Sequence, residues 1–266
     1  MRFRSAVITA LASLWLQACA TPTPPSARDL LAGETPTSVL LVGEQHDAPE
    51  HQALQRELLL ALADQGRLAA VVMEMADAGR DTQGLPPGAT EAQVRAALGW
   101  TDETGWPWPT YGPVVMAAVR AGVPVFGGNL PRSSMRSAMS DVTLDASVPA
   151  DVLARQREAI REGHCDLLPA SQLAPMARIQ LARDRSLAAV AAARTRPGAT
   201  VLLIAGNGHV RRDLGVPLHL GSRTAHRVVV ARAGSAGADA VADAYWDTPA
   251  LPAKDHCAEL RERFKR

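Results

Sequence analysis

Short apolar runs without polar alternation recur along the chain at Val39–Val42, Leu68–Met73, Pro124–Phe126 and Val201–Ala205, and a further strand is read at His226–Ala231. Runs of this length suit the strands of a parallel sheet covered on both faces. Helical spacing fills the intervals. Pro49 opens a helix in which His51, Leu54, Leu58, Leu59 and Leu62 share one face as far as Gly66, and further helices are predicted near Glu91–Leu98, Val114–Ala121 and Leu173–Ala193. Strands alternating with helices predict an α/β fold, a mostly parallel central sheet flanked by helices. Residues 131–170 break that rhythm with Pro131, Pro149, Pro169 and one helix near Ala150–Arg161, so they read as a small helical insertion or lid. The tail, with Tyr245, Trp246 and a helix containing Cys257, is expected to cover an edge.

The chemistry collects where strands end. Val39–Val42 runs into Gly43-Glu44-Gln45-His46-Asp47, and Val201–Ala205 runs into Gly206-Asn207-Gly208-His209. In open α/β sheets the carboxyl ends of the strands form the ligand crevice. Pairing the two strands in one sheet would bring two imidazoles and a carboxylate into that crevice. The bland alternative is two unrelated turns whose histidines cap helices or bond backbone. Glu74 closes the Leu68–Met73 run and is a third candidate, because the buried run before it leaves little room for a solvated charge. Gly127-Gly128-Asn129 ends another strand. Trp100, Trp106 and Trp108, followed by Tyr111, form either a minicore under a long loop or an apolar wall for a flat ligand.

Composition narrows the field. The 266 residues carry 28 basic and 27 acidic side chains, a net charge of +1, so no global field points to nucleic acid. Residues 1–18 read as a signal peptide: Arg2 and Arg4 precede an apolar run from Ala6 to Leu16, and Leu16-Gln17-Ala18-Cys19 resembles a bacterial lipobox. Cleavage there would leave a lipidated Cys19 at the head of a Pro-rich tether, residues 19–36, holding the domain of residues 37–266 off the bilayer. Ala20 after the cysteine favours an outer-membrane destination, facing the periplasm. Cys165 and Cys257 remain as an even pair in an oxidising compartment. A disulfide between them, stabilising by about 2 to 4 kcal/mol, is the expectation; thiolate ligation of metal or haem is the alternative.

Taken in order, the lipobox, Gly43-Glu44-Gln45-His46-Asp47, Val71-Val72-Met73-Glu74, Gly127-Gly128-Asn129, Gln180-Leu181-Ala182-Arg183-Asp184 and Gly206-Asn207-Gly208-His209-Val210-Arg211 resemble the ChaN family of haem-binding lipoproteins, within the TIKI and erythromycin-esterase-like superfamily. The resemblance covers about residues 37 to 232. It implies a haem-binding outer-membrane lipoprotein of iron uptake, with a haem receptor or transporter as partner. It also implies a tyrosine axial ligand, for which the chain offers Tyr111 and Tyr245, and Arg183 and Arg211 as supporting partners. A haem-induced homodimer is a further expectation, since a second subunit covers an exposed apolar ligand.

Two chemistries follow. Haem binding needs a flat apolar surface, here Trp100, Trp106, Trp108 and Tyr111, an axial donor, and cations such as Arg132 and Arg136 for the propionates. Hydrolysis is the alternative, of an esterase or metalloprotease type. It would use His46, His209 and Glu44 as ligands of a divalent metal, or His46 as a base, with Glu44 or Glu74 activating water.

Overall fold

A computed structural model describes residues 26–31, 37–101, 103, 105–234 and 241–264. Cys19 and most of residues 1–36 lie outside the described residues. Six strands form one parallel sheet: β1 (Val39–Glu44), β2 (Leu68–Asp77), β3 (Val125–Asn129), β4 (Thr200–Gly206), β5 (His226–Ala233) and β6 (Ala244–Thr248), in the spatial order β3-β2-β4-β1-β5-β6. After α1 (Ala27–Leu31), helices α2 (Pro49–Asp64), α3 (Glu91–Leu98) and α4 (Trp108–Arg120) follow the first two strands. Beyond β3 come α5 (Met135–Ser140), α6 (Ala150–Gly163) and α7 (Ala170–Ala192), then the one-turn α8 (Asn207–Val210) after β4 and α9 (His256–Phe264) at the end.

The unbroken apolar runs are explained by burial on both faces. Leu40, Val42, Val71, Met73, Leu202 and Ile204 point into a cluster with α2 and α4, while Val39, Leu41, Val72, Leu203 and Ala205 point into a second cluster with α7. The period of two thus divides each strand between two cores. A third cluster lies inside the insertion and joins Leu144, Val152, Leu153 and Ile160 to Ala177 and Leu181 of α7.

Several boundaries differ from those read in the sequence. β2 continues past Glu74 to Asp77, with an irregularity between Met73 and Asp77 that lets it keep pairing with β3. β3 includes Gly127–Asn129 instead of stopping before them. A Cβ on Gly127 would sit 2.2 Å from the Asp77 carbonyl oxygen, so close strand approach, not chain termination, explains this glycine. α4 begins at Trp108 rather than Val114, and Ala244–Thr248 is a sixth strand. Cys165 and Cys257 form a disulfide with Cα atoms 5.7 Å apart.

Candidate functional site

Strand order builds the site. β4 lies between β2 and β1, and its register sets Glu44 beside Gly206. The two Gly-x-x-His turns therefore leave the sheet from neighbouring strands. Between them opens a crevice of about 540 Å³, lined by His46, Glu74, Trp106, Ile160, His164, Arg183, His209, Arg211 and Leu214 among others. A neighbouring cavity of about 580 Å³ shares Glu74, Trp106 and Arg183 with it and is edged by Arg80 and Arg132.

Glu44 is fully buried, yet every lone-pair direction it needs is met. Oε1 accepts from Tyr111 Oη at 2.7 Å and lies 2.7 Å from His46 Nδ1, while Oε2 accepts from Gln52 Nε2 at 2.8 Å and from Gln55 Nε2. A caged carboxylate of this kind orients its histidine instead of reacting. His46 itself is accessible, its side chain 42% exposed, and Trp106 packs edge-on against it with ring centroids 4.8 Å apart. Burial lowers the His46 pKa, but the Glu44 hydrogen bond and the charges of Glu74 and Glu44 outweigh it and hold the pKa above the usual imidazole value.

The second histidine is anchored more deeply. His209 Nδ1 lies 2.6 Å from Asp184 Oδ1, its Nε2 lies 3.5 Å from Glu74 Oε1, and its side chain is 13% exposed. Burial lowers its pKa, but Glu74 and Asp184 together push it up to about 9. Burial pushes the Asp184 carboxyl upward against the opposing pull of His209. Glu74 is also resisted by burial, yet His209, the Gly206 N–H at 2.8 Å, His46 and Arg183 hold its carboxyl below the usual range.

The candidates read from the sequence fall into two groups. Glu44, His46, Glu74, His209, Arg183 and Arg211 all line the crevice, Arg211 with a two-point ion pair to Asp213. The proposed haem-ligand tyrosines do not. Tyr111 is 1% exposed and donates to Glu44, and burial beside that carboxylate drives its hydroxyl pKa far upward. Tyr245 sits on the edge strand, packed against the α7-side cluster beneath Arg232, 4.1 Å from its guanidinium. Trp108 is 8% exposed and donates to Glu91 Oε2 at 3.0 Å, so with Trp100 it belongs to a minicore, and Trp106 alone of the three faces the crevice. The metal set of His46, His209 and Glu44 is not assembled: both Glu44 oxygens accept from side chains, and among the described residues no group of three His, Cys, Asp or Glu side chains is placed to hold a metal ion.

Sequence reasoning missed the partners. Asp184, named in the sequence only within the motif of the resemblance, is 2% exposed, and Gln55 is fully buried. Each interrupts an apolar stripe, Leu181-Asp184-Leu187-Ala188-Ala191 on α7 and His51-Leu54-Gln55-Leu58-Leu62 on α2, which is the signal that was available. His51 is structural: buried, it accepts the Gln45 N–H at 2.9 Å and meets Thr248 Oγ1 at 3.1 Å.

Comparison with known proteins adds two findings. A family profile described as "Haem-binding uptake, Tiki superfamily, ChaN" matches residues 31–220. Among solved structures, that titled "Cofacial heme binding to ChaN of Campylobacter jejuni" is 25% identical, covers 79% of this chain and 86% of its own, and superposes with a TM-score of 0.63. The type III effector HopBA1 is 13% identical over 89% of this chain and 100% of its own, with a TM-score of 0.41, too low to carry an argument. None of the curated proteins matches the chain.

Proposed function

Because the chain belongs to the haem-binding-uptake family ChaN of the Tiki superfamily, we propose that it binds haem in the crevice between the two Gly-x-x-His turns, as a lipid-anchored protein of bacterial haem and iron uptake. The observation that carries the site assignment is His46. It is the accessible imidazole of the crevice, its Nδ1 is held by a caged carboxylate, and its Nε2 makes no hydrogen bond among the described residues. A carboxylate on the far nitrogen orients a metal-bound histidine and raises its basicity. The surroundings fit an amphipathic ligand: Trp106, Ile160 and Leu214 are apolar, and Arg183 supplies a cation for a carboxylate, Arg211 being paired with Asp213. In this reading His46 would hold the iron, because Tyr111 donates to Glu44 and Tyr245 accepts from the Val241 N–H beneath Arg232.

The remaining parts of the reading rest on the sequence. Residues 1–18 act as a signal peptide, Cys19 carries lipid, the Pro-rich stretch ahead of α1 tethers the domain, whose core begins with Ala27 and Leu30 rather than at residue 37, and the protein faces the periplasm from the outer membrane. No helix among the described residues is long and apolar enough to cross a membrane. A receptor or transporter receives the haem, and a second copy covers the ligand's outer face. Hydrolysis is the second reading, supported by the two histidine–carboxylate pairs on one crevice; unaltered protein that turns over neither esters nor peptides excludes it, and turnover kept by His46→Ala removes His46 as its base.

The decisive experiment is an absorbance titration of the protein with ferric haem, with His46→Ala, Tyr111→Phe and Tyr245→Phe alongside. The expected result is a saturable Soret shift lost in His46→Ala and kept in both phenylalanine variants. A shift lost in a tyrosine variant transfers the ligand role to that tyrosine.

A further inference from the structure

The crevice has two walls of different origin. One is the loop after β1, carrying Gln45 and His46; the other is the last turns of α6, with Gln156, Ala159, Ile160, Gly163 and His164. The chain's C-terminal segment touches both. Lys254 Nζ lies 3.0 Å from Oδ2 of Asp47, the residue after His46. Three residues later Cys257 is joined to Cys165, the residue after His164, and His256 Nε2 lies 3.3 Å from the Gly163 carbonyl oxygen. Three residues of chain reach at most about 11 Å, so the segment limits how far the walls can part.

We propose that Lys254–Cys257 is a strap clasped by the disulfide, holding the crevice at a fixed width so that reduction speeds the escape of its ligand. This rests on the reading of the crevice as the haem site.

Three observations carry it. The α6 wall packs against α7 and Leu214 in a cluster that shares no residue with the two clusters holding the sheet, so the β1 loop and this wall rest on different cores. The turn after α6 is left-handed, with φ of 55° at Cys165 and 59° at Asp166, and is closed by hydrogen bonds from the Cys165 and Asp166 N–H groups to the Glu162 and Arg161 carbonyls. The disulfide therefore leaves from a turn fixed to the end of the α6 wall, where the Arg161–Asp166 ion pair also sits. Finally, α9 buries no side chain and, among the described residues, none beyond Trp246 joins a core cluster, so opening the clasp leaves the cores packed. The Lys254–Asp47 pair is exposed at both ends, 60% and 54%, and is a weak second anchor.

An external dithiol opens the clasp by exchange. Its thiolate attacks one sulfur of the Cys165–Cys257 bond, forming a mixed disulfide and freeing the other cysteine as a thiol. The second thiolate then displaces the mixed disulfide, so two electrons and two protons pass to the cysteine pair and the dithiol leaves oxidised.

The test follows haem leaving the full-length protein into excess apomyoglobin. It compares the oxidised protein, the same protein reduced by tris(2-carboxyethyl)phosphine, which does not ligate haem as a thiol would, and a Cys165→Ser/Cys257→Ser variant. Release about tenfold faster after reduction, and equally fast in the double variant with or without phosphine, is expected for an effect on dissociation. Equal release before and after reduction of the folded protein overturns the strap. Should the oxidised protein take up no haem, the site reading fails on its own, and amide hydrogen exchange decides the strap: residues 45–47 and 160–165 must exchange faster on reduction, and unchanged exchange overturns it.

Discussion

The hydroxyl of Tyr111 donates to Oε1 of Glu44 at 2.7 Å, across 67 residues of chain, from the first turn of α4 to the end of β1. The contact turns one of the two candidate haem-ligand tyrosines into part of the cage around a buried carboxylate. Its hydrogen bond keeps Glu44 Oε1 satisfied beside His46 Nδ1. Removing that donor leaves the carboxylate with one partner fewer in a dry site. Tyr111→Phe should therefore cost about 1 to 3 kcal/mol in urea unfolding. It should leave the Soret and charge-transfer bands of the ferric haem complex in place; loss of those bands would mean the phenol is the ligand after all.

Haem affinity should depend on pH through His46. Its pKa is held above the usual imidazole value, the Glu44 hydrogen bond and the carboxylate charges outweighing burial, and iron binds only the neutral ring. Affinity should thus rise as pH is raised through that pKa and weaken below it. His46→Ala should flatten the profile. A wild-type affinity that is constant from pH 5.5 to 8.5 would argue against imidazole ligation.

Gly206 provides a substitution that displaces the ring without touching it chemically. A Cβ there would stand 2.9 Å from His46 Nε2, the far end of a rotatable side chain, and 3.5 Å from Glu74 Oε2. Gly206→Ala should fold, with a loss of about 1 to 3 kcal/mol from overpacking. Its haem complex should show a shifted Soret maximum or weaker binding. An unaltered spectrum and affinity would place haem away from His46.

His209 should write itself into the pH dependence of stability. Its folded pKa, about 9, exceeds the model-peptide value of 6.5. A raised histidine pKa contributes stability that is fully present below pH 6.5 and is lost as pH rises through 9. The span corresponds to about 3 kcal/mol, and His46, also raised, acts in the same direction. Urea midpoints of the wild type should fall across this window, and His209→Gln should remove most of the decline. Parallel declines in both proteins would show that His209 is not charged in the fold.

Lipidation has a direct readout. Cys19→Ser should abolish the acyl mass increment and move the protein from the membrane to the soluble fraction. Membrane association that survives the substitution would remove Cys19 as the anchor.

The sequence alone determined the sheet and its polar strand ends, because those depend on local patterning. The uninterrupted runs at Val39–Val42 and Val201–Ala205 can be satisfied only by burial on both faces, and a glycine followed by polar residues marks where each run opens to the crevice. The cysteine pair was legible from compartment and number. What the tertiary structure alone decided was partnership across distance. Strand order set Glu44 beside Gly206, α7 delivered Asp184 to His209, and α4 carried Tyr111 inward to Glu44 while leaving Trp106 at the crevice. None of these pairs is close in sequence. Whether a tyrosine faces a ligand or a buried carboxylate depends on helix docking, which no local pattern of residues encodes.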